Sequence, residues 1–497
     1  MKNVLWRILS LLLCLCAIVP IMPAQAQEPN LAEDISSDLM VTSTGFNTEW
    51  MLFDGNTTKA GLTAEKSYLT LEDERGIGSL YLIFDLEYGA YTLTNHDTGE
   101  TLTFGETGLL HEFLPLEGCP KSITLSFDTG AVKLNEVYAF TEGEVPDFVQ
   151  KWELPKDGET DLVLFSTHGD DEHLFFAGIL PYYAAERDYQ VQVVYLTNHR
   201  NLTNKRCHEM LNGLWAVGVR TYPVFGQFGD YFSTSMKQAY GNLKYWGVSE
   251  EELLSYVMEQ LRRFKPKVVV GHDPINGEYG HGAHMLYADL LMKALEISND
   301  PEQFPASAEE YGVWDVPKAY LHLYPENEII MDWDQPLECF DGMTAYEVSK
   351  KLGFTCHKTQ YNDFAWYVAG METAAAIPRF NPREFGLYRT TVGADVEKND
   401  FFENVTTYAE DARIEEEARL EAERLEALRK AEEARLAEEA RIREEAAARE
   451  AELARQEQER RLQERNRIYT AAVIAAVSLI LIIILMGFFR KKMRKEK

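Results

Sequence analysis

The chain has 497 residues, with 49 basic residues against 80 acidic ones and a formal net charge of −31. So large an excess of negative charge repels phosphate backbones, and no basic groove motif occurs in the sequence, so nucleic acid is not expected as a partner. No pair of its six cysteines has the spacing of a zinc ribbon, which argues against a structural zinc module of that kind.

Residues 1–26 have the pattern of a secretory signal peptide. Two basic residues precede the apolar stretch 8–21, and Ala24-Gln25-Ala26 supplies a small-residue cleavage site. The alternative is an uncleaved membrane anchor. It fits less well because the apolar core is short and is interrupted by Pro20 and Pro23. We therefore expect the mature chain to start outside the cell.

Residues 30–145 are predicted to form a β-sandwich. Short alternating segments recur between turn residues, at 79–84, 91–94, 101–104 and 122–127. The stretch 52–58, Leu-Phe-Asp-Gly-Asn-Thr-Thr, resembles a loop near the start of galactose-binding-like and discoidin-like modules. That resemblance implies a sugar-binding role, with a purely structural role as the equal alternative.

The next region is predicted to be an α/β domain with a mostly parallel sheet over residues 158–403. An apolar strand at 162–165 leads into His168-Gly169-Asp170-Asp171-Glu172, and a second strand at 267–271 leads towards His281-Gly282-Ala283-His284. Loops that follow parallel strands meet at the carboxyl edge of the sheet, where such folds bind ligands. A region of roughly 240 residues can bury a full core.

Local patterns predict several further elements of this domain. We expect a helix-like segment at 174–180, a strand at 191–196 and a helix at 205–217. Ser249 and Glu252 form a predicted capping box ahead of an apolar helical stripe.

The two polar motifs together suit a catalytic zinc ion. His168, Asp171 and His284 would supply three nitrogen and oxygen ligands, with a fourth position open for water. Asp170 would take a proton from that water, and His281 would stabilise or protonate the oxyanion. Iron or cobalt would also suit these ligands.

These motifs resemble those of the PIG-L family of N-acetylglucosaminyl deacetylases, zinc enzymes with a Rossmann-like sheet that remove acetyl groups from amino sugars. The family's motifs usually read His-Pro-Asp-Asp-Glu and His-x-x-His, where this chain has 168–172 and 281–284. The resemblance implies the same roles: His168, Asp171 and His284 as metal ligands, Asp170 as general base and His281 as oxyanion or acid partner. Gly169 stands where proline is usual, and Ala283 where aspartate is common.

The resemblance continues through 206–209, 229–230, 357–360 and 386–389, and so covers residues 158–403. Arg206 and Asp230 would bind sugar hydroxyls, with an ion pair inside the protein as the equal alternative. His208, His272 and His357 are expected to be structural or pocket histidines rather than ligands.

The C-terminal part is predicted to be helical and membrane-bound. Residues 408–467 consist almost entirely of strong helix formers with opposite charges at helical spacing, which predicts a stalk of roughly 90 Å. A single helix fits slightly better than a dimeric coiled coil, because the leucines hold no clean heptad. Residues 468–489 would cross the bilayer once, and the basic tail 490–497 would lie in the cytoplasm.

The sequence therefore predicts an extracellular, membrane-anchored zinc deacetylase acting on N-acetylated sugars or glycans. One alternative is a tethered glycan-binding protein with an inactive deacetylase-like domain, suggested by Gly169 and Ala283. Another keeps the metal chemistry but acts on a different acyl group or a non-sugar amide. The mature cysteines could form disulfides in three pairings or remain free thiols; they are Cys119, Cys207, Cys339 and Cys356.

Overall fold

The structure is a computed structural model that describes residues 30–199 and 204–494, leaving aside the side chains of residues 62–64. The predicted signal peptide, 1–26, lies outside these residues. Contacts divide the chain into a first unit that ends at Tyr408 and a second unit that begins at Ala409.

Fourteen strands are described, with these bounds: β1 Met40–Phe46, β2 Gly61–Glu72, β3 Ser79–Phe84, β4 Tyr91–Asn95, β5 Thr101–Phe104, β6 His111–Pro115, β7 Ser122–Phe127, β8 Lys133–Phe140, β9 Leu162–Ser166, β10 Val191–Tyr195, β11 Val268–Gly271, β12 Lys318–His322, β13 Glu328–Ile330 and β14 Glu384–Thr390. The described α-helices are α1 Asp171–Leu174, α2 Lys205–Ala216, α3 Met236–Tyr245, α4 Glu250–Phe264, α5 Gly277–Gly280, α6 Gly282–Ile297, α7 Pro305–Tyr311, α8 Ala345–Val348, α9 Tyr361–Val368 and α10 Tyr408–Met493.

The N-terminal β region, residues 31–145, is built from β1 to β8 in antiparallel pairs. One layer runs β1-β2-β7-β4-β5 and the other β8-β3-β6, and the start of β2 pairs with β8 to join them. Inward side chains of both layers share one apolar core, which includes Leu69, Leu82, Leu93, Leu125 and Val137. The four strands predicted from alternation are all present. The alternation itself is clear in β7, where every second residue is buried.

The loop at 52–58 is closed by its own polar side chains. The Asn56 N–H donates to Asp54 Oδ1 at 2.8 Å, and the Thr58 N–H donates to Asn56 Oδ1 at 3.2 Å. Asn135 holds the loop from β8 by donating to the Thr57 carbonyl at 2.8 Å. These are ordinary Asx turns, so the loop's conformation has a local explanation.

The second sheet has the order β10-β9-β11-β12-β14-β13. Its first four strands are parallel, and β14 pairs antiparallel with both β12 and β13. Alternate residues of β9 enter two different apolar cores, Leu162 and Leu164 on one face, Val163 and Phe165 on the other. Both faces are therefore covered, as a continuous apolar strand requires.

Two of the helix predictions are confirmed. Helix α2 occupies Lys205–Ala216, and α4 begins with the full capping box, in which Ser249 accepts from the Glu252 N–H and Glu252 accepts from the Ser249 N–H. The local signals were sufficient here because a capping box is satisfied within one helical turn.

The helix expected at 174–180 is wrong in its extent. Helix α1 ends at Leu174, and residues 175–178 form a turn before helical structure resumes. Gly178 has φ +96°, and a Cβ there would clash with the ring of Trp333, which is buried. The turn follows from this tertiary contact, which the local sequence does not contain.

Helix α2 and the following loop form the contact between the β region and the second sheet's domain. Two buried histidines meet there, with His111 Nε2 2.8 Å from His208 Nδ1. The Leu110 N–H donates to the Tyr222 hydroxyl at 3.1 Å, and Leu110 packs in a small apolar cluster with Leu211. The β region therefore packs directly against the helix that carries Arg206.

Helix α10 is continuous from Tyr408 to Met493. Its first part carries exposed ion pairs at helical spacing, such as Arg419 with Glu416 at 2.6 Å and Arg441 with Glu438 at 2.8 Å. By length and composition, the helix includes a segment apolar enough to cross a membrane. Elsewhere in the described chain, Cys119, Cys339 and Cys356 are thiols without a disulfide, and Cys207 is buried.

Candidate metal centre

The first motif is folded by hydrogen bonds within its own loop. Strand β9 ends at Ser166, whose hydroxyl donates to the His168 carbonyl at 2.9 Å. The His168 N–H donates to Asp171 Oδ2 at 2.8 Å, and Asp171 begins helix α1. This turn places the His168 ring and the Asp171 carboxylate on the same side of the loop.

Three potential ligand atoms form a nearly equilateral triangle. His168 Nδ1 lies 3.1 Å from Asp171 Oδ2 and 3.1 Å from His284 Nε2, and His284 Nε2 lies 3.2 Å from Asp171 Oδ2. A tetrahedral ion with bonds of about 2.0–2.1 Å separates its donors by about 3.3 Å, close to these distances. The predicted ligands are therefore brought together in a geometry that fits one metal ion.

The ring nitrogens that face away from the triangle are held by carboxylates. His284 Nδ1 lies 2.6 Å from Glu278 Oε2, and His168 Nε2 lies 3.3 Å from Asp230 Oδ1. Metal-binding histidines commonly have such partners, because a carboxylate on one nitrogen leaves the lone pair of the other aimed at the ion.

Charge also favours a cation at this position. Burial disfavours the charged form of His168, but the carboxylates of Asp230 and Asp171 outweigh it and raise its pKa to about 9. Burial works against the ionised form of Asp171 too, yet the nearby His284 and His168 hold its pKa well below its usual value. The buried carboxylates attract positive charge, which protons supply when no metal does.

Other histidines lie near the triangle, and among the described residues two further groups of three that share members with it could hold an ion. One contains Asp171, His272 and His284, but His272 Nε2 accepts the Thr167 N–H at 3.0 Å, which occupies its lone pair. The other consists of His168, His281 and His284, so that His281 takes the place of Asp171 in the triangle. His281 faces the triangle from the helix start, with its ring centre 4.8 Å from that of His168.

Glu278 is a buried residue of this centre that the sequence analysis missed. Its Oε1 lies 3.2 Å from His272 Nδ1 and 2.9 Å from His322 Nδ1, in addition to the Oε2 contact with His284. Its φ of +59° is unfavourable for a residue with a side chain, so the surrounding contacts must hold it. An acidic residue three positions before His281 was the available signal.

Asp170 lies beside the triangle and contacts Arg206. Arg206 donates to Asp170 Oδ1 at 3.1 Å, and the Asp170 N–H donates to Glu172 Oε2 at 2.9 Å. Burial raises the pKa of Asp170 to about 6, against the opposing effect of the Arg206 guanidinium. Arg206 and Asp230 therefore both make contacts within the protein, the alternative considered for them, while also bordering the cleft.

His281 is the N-cap of α6 and stands at the mouth of the centre. Burial, together with the nearby His168 and His284, holds its pKa far below the ordinary value, so its ring is neutral. Within the described residues, no hydrogen-bond partner is found for its Nδ1. His281 is also one of the residues that line the adjoining cleft.

A cleft of about 410 Å³ opens onto the triangle, a size suited to a small ligand. Its walls combine charged groups with aromatic rings that the sequence analysis did not single out. The lining residues are His168, Asp170, Asp171, Arg206, Asp230, Phe232, Tyr279, His281, Gln360 and Phe364.

Gly169 and Ala283, the two departures from the usual motifs, differ in whether the structure explains them. The Gly169 N–H donates to His199 Nε2 at 3.0 Å, a bond that proline could not make, and a Cβ at Gly169 would clash with Met210. The loop is therefore restrained by this hydrogen bond, where proline would restrain it through its pyrrolidine ring. Ala283 is 9% exposed, and nothing in the structure explains why alanine stands there.

A protein-family model matches the part of the chain that contains this centre. Residues 163–295 match the family model described as "PIG-L: GlcNAc-PI de-N-acetylase", so the chain carries a PIG-L domain there. The match begins in β9 and ends in α6, and therefore includes both motifs. The segments 357–360 and 386–389 lie beyond it, and their membership stays a prediction.

Curated relatives include 1D-myo-inositol 2-acetamido-2-deoxy-alpha-D-glucopyranoside deacetylases of two Streptomyces species. That of Streptomyces scabiei is 24% identical over 194 residues, 35% of this chain and 59% of the relative. That of Streptomyces avermitilis is 24% identical over 294 residues, 49% of this chain and 97% of the relative. The chain thus spans about three fifths of the length of the first of these relatives.

Among solved structures, N,N'-diacetylchitobiose deacetylase from Pyrococcus horikoshii is similar, with a TM-score of 0.34 and 15% identity. The alignment covers 46% of this chain and 84% of that protein.

Proposed function

We propose that the protein is a membrane-anchored, zinc-dependent deacetylase that hydrolyses the N-acetyl amide of amino sugars or glycans outside the cell. The observation that carries the proposal is the triangle of His168, Asp171 and His284, with donor separations of 3.1–3.2 Å at the base of a cleft. The PIG-L match over residues 163–295 and the deacetylases among the relatives support the choice of reaction.

In this proposal His168, Asp171 and His284 hold the zinc ion. A zinc ion held by these residues would polarise the amide carbonyl and increase the acidity of water. Asp170 accepts a proton from the attacking water, and burial, which raises its pKa to about 6, makes its carboxylate basic enough to do so near neutral pH.

Arg206 and His281 have supporting roles in the proposed reaction. Arg206 bonds to Oδ1 of Asp170 and so leaves the other oxygen to accept the proton. His281, which is neutral and lines the cleft, stabilises the negative charge that develops on the carbonyl oxygen. Phe232, Tyr279 and Phe364 offer apolar faces for a sugar ring.

The membrane part of the proposal rests on the C-terminal helix. Helix α10 combines a charged first part with a segment apolar enough to cross a bilayer. A signal peptide at 1–26 and basic residues at 490–497 would leave the PIG-L domain outside. The N-terminal β region, by its resemblance to galactose-binding-like modules, would bind glycan near the cleft.

The alternative of an inactive glycan-binding protein receives no specific support. The ligand triangle is intact, and Gly169 is held by a hydrogen bond that replaces the rigidity of proline. Activity is the better hypothesis because a decayed site has no reason to keep Glu278 and Asp230 on the outer nitrogens of the two histidines.

The test is product analysis with the full-length chain in detergent. The zinc-loaded protein is incubated with a panel of N-acetylated oligosaccharides, and mass spectrometry follows the loss of acetyl groups. We expect free amines with wild type and none with His284→Ala. Zinc-loaded wild type that deacetylates no member of the panel would count against the proposed substrate class, and the absence of bound metal would count against the mechanism.

A further inference from the structure

A second cluster of potential ligands lies behind the catalytic loop and takes no part in the proposed reaction. It consists of Glu172, His173 and His357, each 0% exposed. Glu172 Oε1 lies 3.6 Å from Nε2 of His173 and 3.6 Å from Nε2 of His357. The three side chains form a group whose ligand atoms lie within 4.8 Å of one another.

Five of the six polar side-chain atoms of this cluster have no hydrogen-bond partner among the described residues, and Glu172 Oε2 is the exception. Within residues 30–199 and 204–494, no partner is found for Glu172 Oε1 or for either ring nitrogen of His173 and His357. The buried Tyr195 hydroxyl interacts with the Glu172 carboxyl but likewise lacks a hydrogen bond of normal geometry to any described residue. Buried polar groups are almost always paired, so this many together call for an explanation.

The distances between the ligand atoms of this cluster suit a bound metal ion better than direct hydrogen bonds. A separation of 3.6 Å is too long for a hydrogen bond. An ion with bonds of about 2.0–2.2 Å to nitrogen and oxygen, in contrast, separates its donors by about 3.3–3.6 Å. Glu172 and two imidazoles are a ligand set that zinc and related transition ions accept.

Two glycines make room for the cluster. A Cβ at Gly213 would lie 2.7 Å from His173 Nε2 and 2.9 Å from His357 Nε2, and a Cβ at Gly353 would clash with the His173 ring. Gly213 lies inside helix α2, where glycine is unfavourable compared with alanine. Because Gly213 has no Cβ, the space beside Nε2 of His173 and Nε2 of His357 stays open.

We propose that Glu172, His173 and His357 form a second, structural site for a divalent transition-metal ion, of which zinc is the best-suited type. Because all three are buried, the ion would not touch substrate. It would join α1, which follows the catalytic loop, to the segment around His357. Glu172 would also act through its other oxygen, which accepts the Asp170 N–H at 2.9 Å. The ion would thus help to position the proposed base.

Metal content per chain tests this proposal in the full-length protein purified in detergent and dialysed against metal-free buffer. We expect two equivalents of zinc in wild type, one in His284→Ala, one in His357→Leu and none in the double variant. The matched control is His96→Leu, at an exposed position, and it should keep two. Two equivalents that His357→Leu leaves unchanged, or a single equivalent lost in His284→Ala, would overturn the second site.

Anomalous diffraction at the zinc edge from wild-type crystals covers the case in which His357→Leu fails to fold. A peak between Glu172 and the two rings supports the site, and ordinary water density without an anomalous signal overturns it. The proposed function fails separately, because its failure appears as metal content unaffected by His284→Ala.

Discussion

Glu278→Gln tests the architecture of the metal centre without removing a ligand. Glu278 Oε2 bonds to His284 Nδ1 at 2.6 Å, while Oε1 receives His322 at 2.9 Å and the Asp273 N–H at 3.1 Å. Burial alone would raise the pKa of Glu278, but His272 and His284 hold it well below its usual value, so both oxygens are acceptors. Glutamine keeps the shape but turns one acceptor into a donor.

Either orientation of the amide disturbs the centre. With the NH₂ group towards His284, Nδ1 must accept, so the hydrogen moves to Nε2, the nitrogen in the ligand triangle. With the NH₂ group on the other side, it meets the Asp273 N–H and the rings of His272 and His322. We expect a loss of metal affinity of about 10- to 100-fold, or about 1.4–2.7 kcal/mol.

Competition against a chelator of known affinity measures this loss on the full-length chain. The exposed Glu328→Gln is the matched control and should bind zinc as wild type does. Thermal unfolding with and without zinc gives an independent value, because the free energy by which a ligand stabilises the folded state rises with the logarithm of its affinity. Zinc affinity for Glu278→Gln within about twofold of wild type would refute the role assigned to this carboxylate.

Three further outcomes are expected. Asp170→Asn should keep its metal but lose about 10²- to 10⁴-fold in acetate release, and turnover at the wild-type rate would contradict the base assignment. Lys318→Met should destabilise the fold by about 3–5 kcal/mol in urea unfolding, because it leaves the buried Asp395 without its cation, and Lys318→Met/Asp395→Asn should recover part of the loss. Burial lowers the pKa of His208 to about 4 and that of His111 well below its ordinary 6.5. Both rings therefore stay neutral when folded, and their stabilisation is complete above pH 6.5 and lost as the pH falls towards 4. The melting temperature should fall over this range, less steeply in His208→Gln, and an unchanged slope would show that the His111–His208 contact is not responsible.

Much of the centre could be predicted because strand ends carry positional information. Strands β9 and β11 are parallel neighbours, so the polar residues that follow each of them meet at one edge. That is why His168 and His284, 116 positions apart, could be expected to meet. The capping box at Ser249 could also be predicted from the sequence, because its donors and acceptors lie within one helical turn.

Contacts between segments far apart in the sequence could not be predicted from local patterns. The turn at Gly178 depends on Trp333, and the hydrogen bond that holds Gly169 depends on His199. His322 reaches Glu278 from β12, a strand that bears no recognisable motif. Hydrophobic periodicity reports only which face of an element is buried, so it does not name the partner on the other side.

The sequence by itself determined the order of the elements, the two motifs and the ligand types, because these follow from local patterns of apolar, charged and turn residues. Only the tertiary structure decided which carboxylates orient His168 and His284, and which buried atoms, such as Oε1 of Glu172 beside His357, are left without hydrogen bonds in the described chain. Hydrogen bonding and burial depend on distances between atoms far apart along the chain, and those distances are set when the layers pack.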